Sequence, residues 1–350
     1  MSLQKFTYPP AFKLESGKFL PGLEIAYHTF GELNLQKNNV IWVCHALTAN
    51  SDVLDWWPGL FGEKALFNPN EYFIICANIL GSAYGTTNPL SINPKTDEPF
   101  YLSFPEITIR DMVKAHQLLA NQLNIERIEL LIGGSLGGQQ AVEWAIDEPE
   151  RMKQLIILAT NARHSPWGIA FNESQRLCIS ADPTFYKSQP YGGNIGLKAA
   201  RSLALLSYRN YQTYCATQSE NDVQKKDSFN ASSYQNYQGQ KLVNRFNSYS
   251  YWYLTKVMDS HNVARNRISI ESALSRIKAR TLVIAIASDI LFPPEEQKLL
   301  SQHIEDSVFA KVQSLFGHDG FLIETDALSK IIQTFLKKGL AHSTALNKSA

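Results

Sequence analysis

The sequence predicts an α/β protein: a mostly parallel central sheet with helices on both faces and a helical insertion. Three observations lead there. Short apolar runs at 40–44, 73–79, 154–159 and 281–287 have the continuous hydrophobicity of fully buried strands. Helical patterns fall between several of them, and alternation of strand and helix produces a parallel sheet covered on both sides. Residues 127–140, RIELLIGGSLGGQQ, pass from an apolar run through Gly133-Gly134-Ser135-Leu136-Gly137 directly into a helical pattern.

The whole chain sets the bounds. Its 350 residues, 44% hydrophobic and 19% charged, suit one large globular domain with insertions. A net charge of +1 offers no electrostatic case for nucleic acid or an anionic membrane as partner. No apolar run approaches the ~20 residues of a membrane span, and the first residues do not read as a signal peptide. The cysteines at 44, 76, 178 and 215 form no C-x-x-C and no Cys/His cluster at metal-ligand spacing. Cys44 and Cys76 sit inside apolar runs and read as buried thiols. A reduced, cytoplasmic setting is expected, with no metal.

In chain order, residues 11–30 alternate around Gly17 and Gly22 and predict an antiparallel pair at a sheet edge. The buried run 40–44 breaks into the loop His45-Ala-Leu-Thr-Ala-Asn50, and 73–79 is the next strand. Residues 80–105, with Gly81, Gly85, Pro89, Pro94 and Pro105, read as a long loop, and such loops are usually functional. Met112, Ala115, Leu119 and Leu123 mark one face of a helix over 106–123. The elbow strand, a helix over 139–146 and a strand over 154–159 follow. From 162 to 265 Tyr, Asn, Gln and Ser become frequent, and helical stretches such as 196–211 replace strands. Residues 218–239 are polar and predict loop or marginal helix. The domain reading is therefore a core of 1–161 and 266–350 and a helical lid of 162–265. A strand at 281–287, a helix at 294–304, a strand at 307–313 and a helix at 325–338 complete the core, and the last dozen residues look frayed.

The Gly-x-Ser-x-Gly element makes Ser135 the candidate nucleophile. The turn crowds its own backbone, so the flanking positions must lack a β-carbon, and it pushes the hydroxyl out over the sheet's C-terminal edge. A short motif of this kind also arises by chance as an ordinary Gly-rich turn, and the strand before it and helix after it argue against chance. A nucleophilic serine needs a base, and the base an orienting carboxylate. In elbow-type folds these follow in the order acid, histidine. Asp289 lies just past the run 281–287, and His318 sits in Phe316-Gly-His-Asp-Gly320 between the last strand and last helix. Asp319 and Asp326 are rival acids, and Asp289 is the better placed. His45 precedes the serine, where oxyanion-hole residues belong. His28, His116, His261, His303 and His342 lie in strand, helix or tail contexts away from strand C-terminal ends, and His164 opens the insertion. The backbone N–H groups of Leu136, after the nucleophile, and Leu47, in the loop after the third strand, are the candidate oxyanion donors.

With these residues in place, the chain resembles the homoserine O-acetyltransferases of methionine biosynthesis, a branch of the α/β-hydrolase fold. The resemblance rests on HALTAN at 45–50, GGSLGGQQAVEWA at 133–145, NARHSPW at 161–167, YQGQKLVNRF at 237–246, YLTKVMD at 253–259 and FGHDGF at 316–321. It implies ping-pong acyl transfer from acetyl-CoA, a co-substrate rather than a resident cofactor, to the hydroxyl of L-homoserine. It also implies Arg201 and Tyr208 as substrate residues, Arg201 gripping the carboxylate, and Asp319 as acceptor for the ammonium. Arg209 is a near competitor for Arg201. A homodimer is expected on the same ground. Where the family commonly has Met, this chain has Leu136 and Gln139; it has Asn247 for the usual Asp after Phe246, and Asp55-Trp-Trp57 for a more Gly-rich run. The alternatives are a succinyl-CoA-dependent homoserine or serine acyltransferase, a serine esterase, or a non-catalytic binding protein.

Overall fold

The structure, a computed structural model, describes residues 2–346. Eight strands form the central sheet: β1 Gln4–Tyr8, β2 Leu23–Phe30, β3 Val40–Cys44, β4 Phe73–Ala77, β5 Ile128–Gly134, β6 Met152–Leu158, β7 Arg280–Ile286 and β8 Ser307–Val312. Their order across the sheet is β1-β2-β4-β3-β5-β6-β7-β8. β1 and β2 pair antiparallel, as do β2 and β4. The other neighbours are parallel. The sheet is thus mostly parallel, and β3 and β5 sit near its middle.

Alternation along β5 feeds two cores. Leu131 packs on one side of the sheet, Leu130 and Ile132 on the other. Helices α1 Ile109–Gln122 and α2 Leu136–Asp147 cover the first face. α1 starts where it does because Thr108 accepts from the Asp111 N–H while the Asp111 carboxylate accepts from the Thr108 N–H, a capping box. Trp42 and Trp144, both fully buried, meet edge to face at 5.1 Å and join the sheet to α2.

Between β6 and β7 the described chain forms no strand of the sheet. It is built of helices: α3 Pro166–Ser180, α4 Asn194–Tyr208, α5 Tyr211–Gln218, α6 Asn230–Val243 and α7 Ser248–Asp259, with a short turn at Ile270–Leu274. Asn247 caps α7 by accepting from the Ser250 N–H at 2.7 Å. Beyond β7, α8 Pro294–His303 and α9 Thr325–Leu346 complete the layers.

Several local expectations change. The edge pair is made by β1 and β2, and residues 12–20 form only a small separate hairpin. The loop 80–105 contains another two-stranded hairpin and a helical turn at Tyr101–Ser103. α2 begins at Leu136 rather than 139. The polar stretch up to 239 is half helix, because α6 starts at Asn230 and packs against α4 through buried Gly239 and Leu242. The last helix continues past 338 to Leu346, and the rest of the tail expected to fray, 347–350, lies outside the described residues.

One ion cluster binds distant segments together. Arg110 on α1 meets Glu15 at 2.8 Å and Glu143 of α2 at 2.7 Å. Arg265 closes on Glu15 at 2.8 Å and Arg267 on Glu143 at 2.6 Å. Burial alone would raise the Glu15 pKa, but the hydrogen bonds and charge of Arg265, with the charge of Arg110, bring it to about 2. A carboxyl with a folded pKa below its unfolded one stabilises fully above pH 4.5, and loses that contribution as pH falls towards 2. Glu15→Gln should therefore cost on the order of 2 kcal/mol in urea unfolding at pH 7. The gap from wild type should shrink as pH drops below 4.5, and a gap independent of pH would contradict this account.

Candidate active site

Ser135 stands at φ 55° and ψ −126°, a backbone state that side chains other than glycine seldom adopt. Crowding around it explains both the strain and the glycines. A β-carbon on Gly133 would lie 2.3 Å from the Gly137 carbonyl oxygen, and one on Gly137 would lie 2.0 Å from that of Cys44. Three hydrogen bonds hold the turn. The Ser135 N–H donates to Leu158 at 3.0 Å, and the Ser135 carbonyl accepts from the Gln139 N–H at 3.1 Å and from the Thr160 hydroxyl at 2.9 Å.

The three residues expected to act together do converge. His318 Nε2 lies 2.9 Å from Ser135 Oγ, and Nδ1 lies 2.6 Å from Asp289 Oδ2. The carboxylate can only accept, so Nδ1 carries the proton and Nε2 faces the serine as an acceptor. The other Asp289 oxygen, Oδ1, accepts from the N–H groups of Leu291 and Phe292 at 2.8 and 2.9 Å. The acid is thus held after β7 on both oxygens. His318 is stacked on Phe292 with centroids 5.1 Å apart, and Phe321 abuts it edge-on at 5.3 Å. Its loop is tied to that of the acid, since the Gly317 N–H donates to Ser288 Oγ at 3.1 Å. Burial pulls the imidazole pKa down, but the charge and hydrogen bond of Asp289 outweigh it and leave it raised. Asp326, the remote rival acid, makes no bond to His318 among the described residues.

Ser135 and His318 open onto a cleft of about 420 Å³ whose wall includes Leu47, Arg201, Tyr208 and Asp319. Leu136 is the first residue of α2, where a backbone N–H has no intrahelical acceptor. The Leu47 N–H likewise has no protein acceptor among the described residues. His45 does not face the cleft. It is fully buried, accepts from the Ile79 N–H at Nε2 and donates from Nδ1 to Ala46, and burial pushes its pKa down to about 4.

The two candidate arginines divide. Arg209 lies 2.8 Å from Asp319 as an ion pair. The Arg201 guanidinium lies over the Tyr208 ring at 5.2 Å, inside the cleft, and makes no salt bridge among the described residues. Burial raises the Asp319 pKa against the opposing charges of Arg209 and Arg201.

Other residues escape the sequence reading. Lys241 and Arg245 also line the cleft, with Asp55 and Trp56. Both cations lie in the segment YQGQKLVNRF, so the signal was present, but nothing in helical spacing shows that α6 reaches the cleft. Arg245 further donates to the Thr48 carbonyl and the Tyr84 hydroxyl. Behind the triad, Gln139 donates to Asn161 at 2.9 Å and Asn161 to Glu296 at 2.8 Å. Burial and the Asp289 charge push the Glu296 pKa up to about 7. Among the described residues no group of three His, Cys, Asp or Glu is placed to hold a metal ion.

The chain is similar to known proteins to different degrees. The family described as alpha/beta hydrolase fold matches residues 39–325. A homoserine O-acetyltransferase of Cyclobacterium marinum is 47% identical over 335 residues, covering 96% of this chain and 95% of that one. The crystal structure of a homoserine O-acetyltransferase from Bacillus anthracis superposes with a TM-score of 0.88 at 25% identity, covering 96% and 97% of the two chains. Esterase E22, at 23% identity and a TM-score of 0.87 over 96% of this chain and 99% of its own, shares the fold. With that identity sustained over nearly its whole length, the chain belongs to the homoserine O-acetyltransferase family of α/β-hydrolase-fold enzymes.

Proposed function

We propose that this enzyme moves the acetyl group of acetyl-CoA onto the side-chain hydroxyl of L-homoserine through an acetyl-Ser135 intermediate, yielding CoA and O-acetyl-L-homoserine for methionine biosynthesis. The observation that carries the proposal is the convergence, in one cleft, of the Ser135–His318 pair with Asp319 and with an Arg201 guanidinium that makes no salt bridge among the described residues. A plain esterase needs the first and has no use for the second. An amino acid presents one charge of each sign, and Arg201 and Asp319 offer the complement.

In the first half-reaction Ser135 Oγ attacks the thioester carbonyl while its proton passes to His318 Nε2. Charge develops on the carbonyl oxygen, where the N–H groups of Leu47 and Leu136 stabilise it. Collapse breaks the C–S bond, and His318 returns the proton to the leaving sulfur. In the second half, the homoserine hydroxyl gives its proton to His318 and attacks the acetyl carbon. Collapse now breaks the bond to Ser135 Oγ, which recovers the proton. Asp289 keeps the imidazole oriented and stabilises its cationic form. Arg201, stacked on Tyr208, grips the substrate carboxylate, and Asp319 accepts the ammonium through the oxygen that Arg209 leaves free. Lys241 and Arg245 at the cleft suit the phosphates of the acyl donor. The reading treats 162–265 as a lid over a core of 1–161 and 266–350, the enzyme as a homodimer, and the four free cysteines as those of a cytoplasmic protein.

Purified enzyme with acetyl-CoA should release thiol rapidly only when homoserine is present, and Ser135→Ala should lose about 10⁴-fold or more in turnover while staying folded. Fast release without an amino acid would favour the esterase, and normal turnover in the variant would remove the acyl-serine. Arg201→Ala should raise KM for homoserine on the order of 10- to 100-fold, the worth of a charged hydrogen bond, with the acetyl-CoA constant changing far less. An unchanged homoserine KM would discard this carboxylate site. His318 must be neutral to accept a proton, and Asp289 holds its pKa up. Asp289→Asn should therefore shift the acidic limb of the rate profile to lower pH while cutting kcat by about 10⁴-fold. A limb that stays in place or moves up would contradict the assignment.

A further inference from the structure

Behind Leu47 and Leu136 lies a polar cluster with no contact to the cleft. Gln140, on α2 one turn beyond Leu136, is fully buried. Its amide nitrogen donates to the Leu136 carbonyl at 3.1 Å and to the His45 carbonyl at 3.3 Å. Its oxygen accepts from His116 Nε2 at 2.9 Å. His116 on α1 is itself wedged between Trp144, stacked at 5.8 Å, and the edge of Trp42. His45, in turn, is anchored by the Ile79 N–H and by its own bond to Ala46. Two backbone segments that are far apart in sequence are therefore joined through one side chain. One follows β3 and the other opens α2, and each supplies one of the two N–H groups, of Leu47 and Leu136, that have no protein acceptor among the described residues.

We propose that Gln140 is a positioning residue that sets the spacing and direction of the two oxyanion donors by bonding to both segments with one amide nitrogen. The inference rests on the assignment of the Leu47 and Leu136 N–H groups as that pair. The chemistry of the side chain fits the task closely. A primary amide has two N–H donors for two carbonyls and an oxygen that can be held from behind. A glutamate would set its negative charge against both carbonyls, and a methionine would fill the space without donating. The two backbone carbonyls fix the amide's orientation, since a flipped amide would set its oxygen against both; with the nitrogen so engaged the oxygen faces His116, which donates to it from Nε2.

A Gln140 with a purely packing role would also be buried and bonded, so the test must separate the two. Gln140→Met keeps the volume and removes both donors. The rate of p-nitrophenol release in the acylation burst with p-nitrophenyl acetate, and kcat for acetyl transfer to homoserine, should both fall about 10- to 100-fold, approaching the effect of removing one oxyanion donor. KM for acetyl-CoA and homoserine should stay within about two-fold, because the donors act on charge that exists only in the transition state. Wild-type rates with a lowered melting temperature, or a loss confined to KM, would overturn the proposal. Should that variant fail to fold, His116→Leu removes the bond that holds the amide oxygen from behind and leaves both amide donors in place. A several-fold drop in burst rate with KM preserved is expected there, and an unchanged burst overturns the proposal. The burst reports Ser135 acylation whatever the acceptor. A wrong acceptor would thus show as wild-type protein with a burst and no transfer, while the role of Gln140 is still read from the burst.

Discussion

The close approach of α2 to the end of β3 is the constraint on which the rest of the site depends. The backbone at Gly137 comes so near the Cys44 carbonyl that even a methyl group would overlap it. That contact forces Ser135 to φ 55°, at a cost of about 1–3 kcal/mol that the surrounding hydrogen bonds must offset. It also brings the first N–H of α2 beside the loop that leaves β3. Ser135 and the N–H groups of Leu47 and Leu136 therefore all lie next to this one close approach. The sheet register supports it, since Gly133 pairs with Cys44 and Gly134 with Leu158.

Charge placement follows the same economy. Asp289 and Asp319 both stand beside the imidazole of His318, yet they are prepared for different tasks. Asp289 is held on one oxygen by two backbone N–H groups and on the other by the ring, so it has nothing left to offer a substrate. Asp319 is engaged on one oxygen by Arg209, which counters the tendency of burial to neutralise it. Arg201, which makes no salt bridge among the described residues, keeps its cation over an aromatic face.

The misread stretches share a physical cause. α6 reads NASSYQNYQGQKLV, in which polar and aromatic residues blur any apolar stripe. Its helix depends on packing against α4, and packing is not written in local periodicity. The hairpin within 80–105 is two residues per strand, too short for alternation to register. β1 is half exposed along its length, so its alternation is faint. Arg201 and Arg209 sit in the same helical segment with the same chemistry, and resemblance of spacing favoured the first. What separates them in the fold is that Arg209 comes within 2.8 Å of Asp319, while Arg201 makes no salt bridge among the described residues.

The sequence by itself determined the elements whose signals are local: the buried strands, the glycine-bound turn at Ser135, and the order serine, acid, histidine along an α/β chain. Each follows from a property that neighbouring residues carry together, such as continuous hydrophobicity or the absence of a β-carbon. Only the tertiary structure decided what depends on distance between remote segments. It placed His318 between Ser135 and Asp289, left Arg201 free while Arg209 took Asp319, brought Lys241 and Arg245 to the cleft, and joined His45, Leu136 and His116 through Gln140. Hydrogen bonds and ion pairs act over a few ångströms, and sequence separation says nothing about which groups will meet at that range.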